Sequence, residues 1–123
     1  MEELCEEICQ QLEKGDIEIK TISIELKTLL KFLSNASSRF VDINPSLKEN
    51  HFMLLQVKDN LKVFIVDEKL SGNLFTIYQA LTNYIGLRSK YGEAADWYLK
   101  QEFDTHLNEV ISQAIVRLST LSL

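Results

Sequence analysis

Cys5 and Cys9 are the chain's two cysteines and stand four residues apart. On a helix that spacing puts both thiols on one face, where they could begin a metal site. Such a site needs three or four converging ligands. The two histidines, His51 and His106, lie far away in sequence. The spacing is also poor for a mutual disulfide. We therefore read both thiols as small buried hydrophobes and assign no metal ligand. Glu102 and His106 lie one helical turn apart and can share a hydrogen bond or a cation. Asp96 and Asp104 add carboxylates nearby, but no spacing marks an acid–base pair.

Tyr91, Trp97, Tyr98 and Phe103 form the densest aromatic cluster. On one helix they cannot all point inward, so a ring is left to line a pocket or an interface. The candidate partner or ligand surface is therefore Tyr91, Asp96, Trp97, Tyr98, Glu102 and His106. The four glycines, Gly15, Gly72, Gly86 and Gly92, stand alone, so none builds a phosphate-cradling loop. No serine sits in a nucleophile elbow. No residue is assigned a catalytic role, and no cofactor is expected.

These residues need a scaffold, and 123 residues suffice for a single domain over 1–123 with its own core. The net charge is −5, but seven acids fall in residues 1–19 against Lys14 alone, so the remainder is near neutral. An acidic chain without a basic stripe repels phosphate backbones, so nucleic acid is not an expected partner. No apolar stretch approaches membrane-spanning length, and the acidic start is the reverse of an export signal. The expected compartment is the cytoplasm, with reduced thiols.

The strongest periodic signal runs from Glu102 to Leu121. Phe103, Leu107, Val110, Ile111, Ala114, Ile115, Leu118 and Leu121 recur at three- and four-residue steps, one face of a helix. Glu2–Lys14 reads as another helix, with Leu4, Cys5, Ile8, Cys9 and Leu12 as its stripe and Gly15 as its stop. Residues 16–26 fit strand or helix; we expect a short extended lead-in, then a helix from about Ile22 to Asn35. Leu74 to Ile85 carries a further helical stripe, ending near Gly86, and Glu93–Lys100 a short helix that can run into the last one.

Between these helices the pattern favours strands. Phe40–Ile43 reads as a short strand before a turn at Asn44-Pro45-Ser46. His51–Val57 and Leu61–Asp67 read as a hairpin around Lys58-Asp59-Asn60, because Val63, Ile65 and Val66 are β-branched and Asp59 and Asn60 tolerate tight turns. The first of the pair is apolar on both faces, which calls for helices on one side and a partner on the other. The expected fold is thus α+β: helices flanking a small antiparallel sheet over 39–67, a hairpin or three-stranded meander, with a helical C-terminal half.

The expected function is a non-catalytic protein-interaction module, a small cytosolic adaptor, regulator or chaperone-like protein. Its partner is another protein or a second copy in a homodimer. The alternative is a small-ligand-binding protein or enzyme with a pocket near Trp97, Glu102 and His106. A deep cavity with convergent polar groups favours the alternative, and an exposed apolar patch favours the module.

Overall fold

In the computed structural model the described residues are 1–44, 51–64 and 66–121, with the side chains of His51 and Phe64 left aside. Their regular elements are all helical: α1 (Glu2–Lys14), α2 (Ile19–Asn35), α3 (His51–Phe64), α4 (Glu68–Tyr91), α5 (Glu93–Glu102), a π-helical turn (Phe103–Leu107) and α6 (Asn108–Leu121). No strand occurs among the described residues, and those within the expected sheet over 39–67 are helix and irregular chain instead. The fold is a helical bundle rather than α+β.

The correction centres on α3. Met53, Leu54, Val57 and Leu61 recur at helical spacing, and Val57 and Leu61 are buried. A run apolar on both faces cannot be assigned by alternation alone, and here the three- and four-residue steps prevail. The expected hairpin turn at Lys58-Asp59-Asn60 lies inside the helix. Asn60 instead serves a neighbour: its Nδ2 donates to the Glu13 carbonyl at 3.1 Å, satisfying a carbonyl at the end of α1. Gly15 closes α1 at φ 73°, and a Cβ there would sit 2.9 Å from Asn60 Cγ, so both backbone and space demand glycine. The expected strand at Phe40–Ile43 is irregular chain. The expected turn at Asn44-Pro45-Ser46 runs into residues 45–50, outside the described residues.

α2 begins at Ile19, which resolves the ambiguous 16–26 stretch as mostly helix. Its buried stripe is Ile22, Leu26, Leu29 and Leu33, with Glu25 set among them. α4 is longer than its stripe suggested at both ends. Asp67 caps it, Oδ1 accepting from Lys69 N at 3.0 Å and Leu70 N at 3.1 Å, so the helix starts before Ser71-Gly72-Asn73. Gly86 lies inside, and the chain turns only at Gly92, φ 60°. This helix is the hub, packing against α1, α3, α5 and α6 through Leu70, Leu74, Ile77, Tyr78, Leu81, Tyr84 and Leu87.

The Glu102–Leu121 stripe is buried at Phe103, Leu107, Ile111, Ala114 and Leu118, and half-buried at Val110 and Ile115. Leu121 is 43% exposed. The run is not one uniform α-helix. Asn108 N–H donates to the Phe103 carbonyl, five residues back, across the π-helical turn. Phe103, Leu107 and Ile111 fall in four-residue steps, which drift round an α-helix of 3.6 residues per turn. The wider turn takes up that drift and keeps all three inside.

Candidate functional site

The residues singled out by type and spacing divide among different neighbours. Asp96, on α5, accepts from Tyr84 Oη and from Arg88 Nη1 of α4. Arg88 Nε also lies 3.4 Å from Glu2 of α1, so this cluster ties three helices. Burial and the hydrogen bond to Asp96 push the Tyr84 hydroxyl pKa up, which keeps it a donor. The Asp96 hydrogen bond and charge likewise raise the Arg88 pKa and hold its guanidinium charged. Asp96 is thus committed to structural bonds.

Trp97, next along α5, is half-buried under the Arg39 guanidinium, which stands 4.9 Å from its ring centroid. The chain before residue 44 is strapped to the same helix by Gln101. Its carboxamide accepts from Val41 N and donates to Val41 O at 3.2 Å, satisfying both backbone groups as a neighbouring strand would. Tyr98 is half-buried, and its pKa is raised by burial first and then by Glu102, to which it hydrogen-bonds. His106 Nδ1 lies 3.1 Å from the Glu102 carbonyl and 3.7 Å from Glu102 Oε2. Thr105 Oγ1 donates to the Gln101 carbonyl at 2.8 Å. The side chains of the π-helical turn thus serve carbonyls at its entrance. Tyr91 is exposed at the end of α4, with Lys90 Nζ 5.2 Å from its ring centroid.

Tyr98, Glu102 and His106 therefore share one stripe, while Asp96 faces α4 and Trp97 faces the strap. Six positions separate Asp96 from Glu102, which turns them roughly a third of a helical turn apart. Neither of the two clefts described below is lined by any of the six candidates. Among the described residues no three His, Cys, Asp or Glu side chains gather as metal ligands would. Cys5 and Cys9 are free and buried, with both thiol pKa values pushed up to about 12, chiefly by burial. Cys9 Sγ lies 3.8 Å from Thr82 Oγ1.

The surface that the sequence did not single out is the outer face of α3. Phe52 is 87% exposed, Leu55 53%, Val63 75%, and Val66, just past the helix, 95%. At 3.6 residues per turn Phe52, Leu55, Asp59 and Val63 make one stripe opposite the buried Val57 and Leu61. Beside it a cleft of about 560 Å³ opens between α3 and α4. Leu61, Val66 and Phe75 supply apolar walls, with exposed Lys58, Lys62 and Glu68 at its edge. Gly72 also lines it, and a Cβ there would meet nothing within 4 Å. A shallower cleft of about 480 Å³ lies along α6, lined by Asp67, Val116 and Arg117 among others. There Arg117 Nη1 donates to Asp67 Oδ2 at 2.9 Å, joining α6 to the cap of α4. The signal for the α3 face was present as apolarity on both sides of 51–57; its outward half is this stripe.

Together these features define a helical bundle with an exposed apolar helix face. The chain matches no protein-family model, and none of the curated proteins or solved structures compared is significantly similar to it. No helix among the described residues is long and apolar enough to cross a membrane.

Proposed function

We propose that the protein is a non-catalytic protein-interaction module that docks its partner on the outer face of α3. The observation that carries this reading is the exposure of Phe52, Leu55 and Val63 along one side of α3, with exposed Val66 lining the α3–α4 cleft. Scattered exposed apolar residues are ordinary, but a stripe along one helix marks an interaction surface. Among the described residues α3 packs chiefly on α1 and α4, and its exposed side suits a helix or sheet edge. The alternative, a ligand pocket near Trp97, Glu102 and His106, has weaker support. Glu102 is engaged by Tyr98 and His106, and the indole of Trp97 by Arg39.

The test is a paired substitution, Phe52→Asp with Val63→Asp, which charges the stripe without touching the core. Circular dichroism should show unchanged helix content. Sedimentation velocity reports self-association, and affinity capture from the native host reports other partners. The reading expects an assembly with either kind of partner that the double variant loses. Identical, monomeric behaviour and identical captured sets for both proteins contradict it.

A further inference from the structure

Glu25 sits in the buried stripe of α2, 9% exposed, against Gln11 of α1. Gln11 Nε2 donates to Glu25 Oε1. The other two oxygens of the pair, Gln11 Oε1 and Glu25 Oε2, are both fully buried and have no hydrogen-bond partner among the described residues. Two orphaned acceptors in one buried pair are costly, and buried acceptors almost always find a donor. Turning the Gln11 carboxamide over leaves the same deficit, because it only exchanges which carboxyl oxygen meets the N–H and which meets the amide oxygen. One hydrogen satisfies both atoms at once. On Glu25 Oε2 it ends the orphaned charge and supplies a donor to Gln11 Oε1.

We propose that the folded protein holds Glu25 as a neutral carboxylic acid. Its Oε2–H donates to Gln11 Oε1 while Oε1 accepts from Gln11 Nε2, closing a two-bond acid–amide ring between α1 and α2. The α1–α2 contact is then a pH-sensitive device that tightens as the pH falls. The surroundings agree. Burial raises the Glu25 pKa first, the Gln11 bond opposes it, and the Glu7 carboxylate of α1 raises it again. Lys14, the basic residue of α1, is exposed and contributes nothing to that balance. From α6, the other helix packed closely on α2, no charged side chain contributes, and its buried residues are Ile111, Ala114 and Leu118. On α2 itself the residues one turn away, Thr21, Ile22, Thr28 and Leu29, are uncharged.

A carboxyl whose folded pKa is raised binds its proton more tightly folded than unfolded. Its contribution is fully present below the ordinary glutamate pKa and is lost as the pH rises through the folded value. Carbon-detected NMR of the whole chain can follow the Glu25 carboxyl and the Gln11 carboxamide from acid to mildly alkaline pH. Both resonances should move with one shared midpoint, above that of an ordinary glutamate. In parallel, urea midpoints of wild type and Glu25→Gln should be compared across the same range. Glu25→Gln retains a two-bond ring at every pH, so the wild type should lose stability relative to it as the pH rises, then level off. An ordinary Glu25 midpoint, a Gln11 carboxamide that does not follow it, or parallel stability profiles would overturn the proposal. Should Glu25→Gln not fold, the wild-type titration alone decides.

Discussion

Individual side chains fix the helix ends and junctions, and their chemistry can be probed one at a time. Asp67 is held below the usual carboxylate range, first by the Leu70 backbone N–H and then by Arg117. For a depressed carboxyl the stabilisation is present above its unfolded pKa and is lost as the pH falls through the folded value. Asp67→Ala should therefore lower the urea midpoint at neutral pH, with the difference from wild type shrinking in strong acid. Denaturation at the two pH values checks it. The thiols offer a second residue-level test. Burial and a pKa of about 12 leave little thiolate at neutral pH, so Cys5 and Cys9 should resist a thiol reagent in the native protein. Both should react at once in denaturant; rapid native labelling would show the α1 stripe to be open. Of these features, the buried thiols were legible from their place in the α1 stripe. The Glu102–His106 contact was legible from its one-turn spacing; the partners of Asp96 and Trp97 were not, because those pairings depend on how α4, α5 and the strap are brought together.

Among the elements, α3 carries the clearest correction. Asp59→Pro distinguishes helix from hairpin, since proline in a helix interior costs about 3 kcal/mol or more, whereas a turn tolerates it. A large drop in the denaturation midpoint is expected. The two interior glycines of α4 give an opposite sign. A Cβ at Gly72 or Gly86 meets nothing within 4 Å, so alanine at either position should stabilise by roughly 0.5–1 kcal/mol. Only Gly72→Ala narrows the α3–α4 cleft, so it alone should alter partner binding. In α6, Ile111 is buried and Gln113 exposed. Ile111→Ala should cost about 2–5 kcal/mol and Gln113→Ala no more than about 0.5 kcal/mol, measured by chemical denaturation. The stripes of α1, α2, α4 and α6 were legible because their polar faces stand out. The strand reading of 51–67 followed β-branched Val63, Ile65 and Val66 and turn-forming Asp59 and Asn60. Local propensity yielded there to packing on α1 and α4.

For the molecule as a whole, the organising element is α4 rather than the last helix. α4 meets four of the other helices, and its polar residues bind α1 and α5 as well as burying apolar surface. Tyr78 Oη donates to Glu13 Oε1 at 2.9 Å, and Arg88 reaches both Glu2 and Asp96. That role was hidden in the sequence because the stripe is legible there only from Leu74 to Ile85, with Gly86 as its end, whereas α4 runs from Glu68 to Tyr91. The outward face of α3 was hidden for a related reason: its exposure becomes visible only when α1 and α4 are seen to cover one side. The central claim is that this face receives a protein. A photo-crosslinking amino acid placed at Phe52, with the same group at exposed Gln113 as control, tests it most directly in the native host. The account predicts a discrete protein adduct, a second copy included, from position 52 and none from position 113. No adduct at 52, or the same adducts from both positions, would contradict it.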